Sequence, residues 1–228
     1  MENNPKKAEI QLIFLGFISA LVGIVCLLVT WLIYDLGGLT SISESATTGN
    51  KAGMLLPFAL GCMFTYCISY RGYCLSERII VKIMGVAFAV VALQVCYGYG
   101  LETKAGILGL SREASNWVHL GGAATGFGLM WVWIQFYFTK SNKDKESQTK
   151  QKRIRNHIYT ACGAAMLCGI LLMILDCFIP MGSYMMFIAE EFMLIPAGLA
   201  IVIKGGLFLK DKEIIVEADE KEVNKIKF

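Results

Sequence analysis

Charge is what this sequence has least of. Asp, Glu, Lys and Arg make up 17% of 228 residues, against about 25% in an ordinary globular chain. With 56% of residues in the hydrophobic set, the chain cannot be disordered, because disorder needs low hydrophobicity and high charge. A formal net charge of +3 is too small for a basic nucleic-acid-binding domain, so no nucleic-acid partner is expected. Only two histidines occur, which leaves little room for a multi-histidine metal centre; no cofactor is expected. The eight cysteines contain no C-x-x-C pair and read as buried thiols used as small apolar packing residues. Cys96 and Cys177 are the one pair placed to meet at the outer helix ends.

What charge there is, is segregated. Six apolar stretches, residues 10–34, 53–70, 79–97, 117–138, 157–179 and 184–203, run 18 to 25 residues each. At about 1.5 Å rise per residue, such lengths cross a hydrocarbon core of about 30 Å. A soluble helix would show a polar face every 3.6 residues, and residues 14–29 offer none. The first stretch outruns a signal-peptide core of about 7–15 residues and reads as a retained helix. The expectation is an all-α, polytopic membrane protein: a six-transmembrane-helix bundle over residues 1–209, followed by a mixed-charge tail, 210–228.

The basic residues orient it. Of 21 Lys and Arg, 17 fall in the two termini and the second-to-third and fourth-to-fifth loops, while only Lys51, Lys104 and Arg112 lie in the other set. The excess of basic residues on cytoplasmic loops then puts both termini in the cytoplasm. The basic loop 140–155 reads as a topology determinant and solvated linker, with attraction to anionic lipid headgroups as the alternative. Small residues at spacing four (Gly16/Ala20, Ser19/Gly23, Gly122/Gly126, Ala124/Gly128, Ala161/Ala165/Gly169) mark ridges where helices approach closely in lipid.

Ionisable groups inside a membrane are costly and so usually face an interior or a cavity. Here they gather at one depth. His119 opens the fourth span, Asp176 lies one turn from the outer end of the fifth, and Glu190 and Glu191 lie about 9–10 Å into the sixth. Asp35 ends the first span, and Ser41, Ser43 and Glu44 follow it. The ligand-binding candidates are therefore Asp176, Glu190, Glu191, His119, Ser43, Glu44 and Asp35. Adjacent Glu190 and Glu191 point about 100° apart on a helix and cannot both face one neighbour. Each member also has a plainer reading. Ser41 to Glu44 fits the S-x-x-E capping box, His119 can bond Ser115 or Asn116, and Asp35 before Gly37-Gly38 suits a helix end.

Several motifs stand together: Ser41-Ile42-Ser43-Glu44 after the first span, Tyr70-Arg71-Gly72-Tyr73 after the second, Arg155-Asn156-His157-Ile158-Tyr159 opening the fifth, and Glu190 followed by Lys204-Gly205. In these the chain resembles a widespread family of uncharacterised bacterial six-span integral membrane proteins. The likeness covers nearly the whole chain and implies the fold, the topology and a bacterial plasma-membrane location, but no activity. The chain differs where that family tends to carry aromatics after the loop glutamate (here Ser45-Ala46-Thr47) and an acid after Tyr73 (here Cys74).

Three functions compete. The first is a non-enzymatic protein whose outer cavity binds a lipid headgroup or small polar ligand, with membrane lipids or a membrane protein as partners. The second is a metal-dependent intramembrane hydrolase acting on a lipid amide or ester, loosely resembling the alkaline-ceramidase type; its ligands would be His119, Asp176 and Glu190. The third is a small proton-coupled transporter using the glutamate pair.

Overall fold

The computed structural model describes residues 10, 12–21, 24, 40–43, 55–72, 74–94, 104–140, 148–179 and 181–210. Asp35, Glu44, Cys96 and the tail from 211 onward lie outside the described residues. The fold is all-α, with six helices among the described residues: α1 Leu12–Leu21, α2 Leu55–Ser69, α3 Leu75–Leu93, α4 Arg112–Val132, α5 Lys150–Phe178 and α6 Met185–Lys204. Of these, α5 and α6 are long and apolar enough to cross a membrane. The first turns of α3 and α4 carry Glu77, Arg78, Arg112 and Glu113, which dilute their hydropathy. A hairpin of two two-residue strands, β1 Lys104–Ala105 and β2 Leu110–Ser111, precedes α4.

Helix boundaries differ from the expected spans where caps and turns decide them. α4 begins five residues before the expected 117, because the Ser111 hydroxyl accepts from the Ala114 N–H and caps it. α5 begins at Lys150, capped by Thr149, whose hydroxyl accepts from Lys152 N–H. The basic segment is therefore not all linker. Lys152 Nζ also donates to the Phe138 and Lys140 carbonyls, closing the end of the preceding helix. α3 stops at Leu93, since Gln94 turns into extended backbone. α4 continues into a π-helical stretch, Trp133–Phe138, a widened helix that composition does not signal. α6 runs through Pro196 without a break.

α2 packs on α3, α3 on α4 and α5 on α6, and α4 also meets α5 and α6. Small residues set the closest approaches. A Cβ on Gly198 would lie 2.5 Å from Ala20 N, and one on Gly16 would lie 2.6 Å from Val202, so α1 lies directly against α6. Ser19 adds a 3.1 Å bond to the Leu194 carbonyl across the same seam. Gly126 packs on Phe88 of α3, and Gly169 on the Ala189 carbonyl of α6. The expected Ala124/Gly128 ridge is not a seam: Ala124 is exposed, and a Cβ on Gly128 meets nothing within 4 Å.

Candidate functional site

Three helices and one loop enclose a pocket of about 160 Å³. α4 contributes Asn116, His119, Leu120, Ala123 and Phe127, which recur at spacings of three and four and so share one face. α6 contributes Met186, Glu190 and Met193 on the same periodicity, α5 adds Met173, and Ser41 and Ser43 close the mouth.

The loop is held there by the start of α6. The Phe187 N–H, one of the donors a helix N-terminus leaves unpaired, bonds the Thr40 carbonyl at 3.1 Å. One turn on, Glu190 reaches back: Oε2 accepts from the Ile42 N–H, and Oε1 accepts from the Ser43 hydroxyl at 2.6 Å. Glu190 is only 9% exposed, and a carboxylate at that depth is stabilised by such donors. The arrangement works like a capping box made between distant segments.

His119 is 3% exposed. Its Nδ1 lies 2.7 Å from the Gln94 carbonyl oxygen, and the Val91 carbonyl also interacts with the ring. A carbonyl can only accept, so Nδ1 carries the hydrogen and Nε2 of the neutral ring bears a lone pair. That Nε2 is buried and has no hydrogen-bond partner among the described residues. The expected Ser115 partner is engaged elsewhere, accepting from Gln94 Nε2 at 2.6 Å. Gln94, 1% exposed, thus aligns the imidazole through its backbone and braces α4 through its side chain. Sequence reasoning missed it because an uncharged glutamine in an apolar run carries no alarm.

Asp176 and Glu191 do not join this pocket. Asp176 Oδ1 accepts from Met181 N–H at 3.0 Å and closes the α5–α6 turn. Glu191 turns away from Glu190, as the helical angle requires; both its carboxylate oxygens are buried without a hydrogen-bond partner among the described residues. It lies on the stripe of α6 that continues through Leu194 and Gly198, the face against α1. Among the described residues no group of three His, Cys, Asp or Glu could hold a metal ion, so His119, Asp176 and Glu190 are not assembled as a ligand set.

A second buried acid was not anticipated. Glu77, in the first turn of α3, is 1% exposed; its Oε1 accepts from Tyr70 Oη at 3.0 Å and from Trp133 Nε1 at 2.8 Å. Its neighbour Arg78 made the region read as an exposed loop. A larger apolar groove of about 640 Å³ runs between α1 and α2, past Phe14, Ile18, Phe58 and Tyr66. It gathers no cluster of charged groups, so the chemistry lies in the smaller pocket.

No protein-family model, curated protein or solved structure matches this chain.

Proposed function

We propose that the chain is a six-span integral membrane protein with both termini cytoplasmic, and that its outer-leaflet pocket binds a lipid headgroup or small polar ligand without catalysing a reaction. The membrane part is supported by large apolar side chains turned outward on successive helices, among them Phe14 at 65%, Phe58 at 70%, Ile83 at 49% and Leu171 at 50% exposure. Water would disfavour such a surface, and lipid would not. The 17-to-3 division of basic residues supports the orientation.

The observation that carries the binding role is His119, which lines the pocket beside Glu190 and whose buried Nε2 has no hydrogen-bond partner among the described residues. Buried polar atoms are nearly always satisfied, and an exception at a cavity is accounted for by an absent ligand or water. The hydrolase alternative lacks a third ligand among the described residues. The carrier alternative draws support from Glu191, whose buried carboxylate has no partner among the described residues and suits a proton-binding site; equal proteoliposome flux in wild type and Glu191→Gln removes it.

The test is co-purification. Lipids and small molecules extracted from wild type, His119→Phe and Ser43→Ala and quantified by mass spectrometry should show one species depleted in the variants. Identical extracts overturn the binding role. Labelling of Cys74 from outside intact cells overturns the orientation.

A further inference from the structure

Resting on the membrane-spanning part of that reading, and on neither the pocket's role nor the orientation, we infer that the β1–β2 hairpin is an interfacial anchor. Its apex residues, Ile107 and Leu108, are seated among the acyl chains of the leaflet on the pocket side.

The turn is built to present them. The Gly109 N–H donates to the Gly106 carbonyl at 3.1 Å, which makes Ile107 and Leu108 the two central residues of a β-turn. Gly106 and Gly109 bracket them with φ of +68° and +56°, a region glycine enters without steric cost. Turns that face water favour Gly, Pro, Asn, Asp and Ser. Here the centre of the turn holds two large aliphatic side chains, 72% and 65% exposed.

Hydrogen bonds set the depth of the turn. α3 ends at Leu93, whereas its apolar stretch runs on to residue 97. The Ile107 N–H donates to the Leu93 carbonyl at 3.1 Å, and Gly106 lies against the Gln94 side chain with no room for a Cβ. The hairpin is thus folded back onto the helix end. Gln94 also fixes the level of α4, because its carbonyl lies 2.7 Å from His119 Nδ1. Leu93 and Trp117, beside these two residues, are themselves exposed, so the apex continues an outward apolar surface. Tryptophan is enriched where a bilayer meets water. Deep in hydrocarbon, turn backbone would leave polar groups unpaired; at the interface it meets headgroups and water while the two aliphatic side chains reach the acyl layer.

The experiment places a benzophenone amino acid at position 107 or 108 of the full chain by amber suppression, in phosphatidylcholine nanodiscs. Position 58, where Phe58 is exposed on α2, serves as the lipid-facing reference. Position 150, where Lys150 is exposed at the start of α5, serves as the aqueous one. After irradiation, mass spectrometry identifies what each position has captured. Expected at 107 and 108 is a phospholipid adduct attached through its acyl chain, at a yield at least tenfold above that at 150. A lipid yield equal to that at 150, attachment only to the headgroup, or a dominant crosslink to this chain or to a second copy each overturns the anchor while the adduct at 58 stands. If 58 captures no lipid either, the membrane-spanning reading fails and the anchor fails with it.

Discussion

The indole Nε1 of Trp133 donates a 2.8 Å hydrogen bond to Glu77 Oε1, joining the π-helical stretch after α4 to the first turn of α3. Trp133 is the middle ring in a run of five. Tyr66, Tyr70, Trp133, Phe138 and Tyr159 follow one another at centroid separations of 5.6, 5.4, 4.8 and 5.3 Å. Lys204 Nζ lies 5.2 Å from the Phe138 ring centroid. Tyr66, Tyr70 and Tyr159 are thus core residues. Replacing Trp133 with Phe keeps a ring but removes a donor from a buried carboxylate. Hydrogen bonds to charged groups contribute about 1.5–3 kcal/mol, and Trp133→Phe should lose stability of that order in detergent unfolding. Coupling to Tyr70→Phe in a double-mutant cycle should be clearly non-zero, since both donors serve one oxygen.

Gly106 adopts φ +68°, and a Cβ there would lie 2.4 Å from the Gln94 amide. Gly106→Ala should therefore cost about 1–3 kcal/mol through strain and overpacking. It should also displace the His119 imidazole resonance, because Gln94 holds that ring. Gly121→Ala is the control: the site is open, and replacing a helical glycine should gain up to about 1 kcal/mol.

The α1–α6 seam has no room for a side chain at Gly198. Gly198→Val should destabilise by about 1–3 kcal/mol and raise proteolytic susceptibility of the α1 region, read by limited proteolysis with mass spectrometry. Gly128→Ala, on an open face, should leave the digestion pattern unchanged.

Cys74 stands at the start of α3, exposed. The Ser76 hydroxyl 3.2 Å away, and after it the Glu77 backbone N–H, hold its thiol below the ordinary thiol range. A lowered value means thiolate forms at lower pH, so its alkylation rate should reach half-maximum below the pH of a free cysteine. Ser76→Ala should move that midpoint upward, as measured by mass-spectrometric alkylation across pH.

Sequence was a guide to some of the polar groups that break an apolar run. His119, Glu190 and Ser43 announce themselves as costly groups in greasy surroundings, and these are the three that share the pocket. It was a poor guide to direction. Asp176 carries the same composition signal, yet a turn residue, Met181, claims its carboxylate. Glu77 was hidden because its burial depends on Trp133, 56 positions away, and on a π-helical turn that α-helical periodicity does not reveal. The ridges were legible in part: Gly16/Ala20 and Gly122/Gly126 became seams, whereas Ala124/Gly128 did not, because spacing fixes which residues share a face but not what that face meets.

Ser43 and Glu190 are 147 positions apart, so the mouth of the pocket is built from the early and late parts of the chain. During synthesis the serines emerge long before the carboxylate that anchors them. A nascent chain lacking α6 therefore has only part of the pocket wall, and the site is complete only once the last helix has been made.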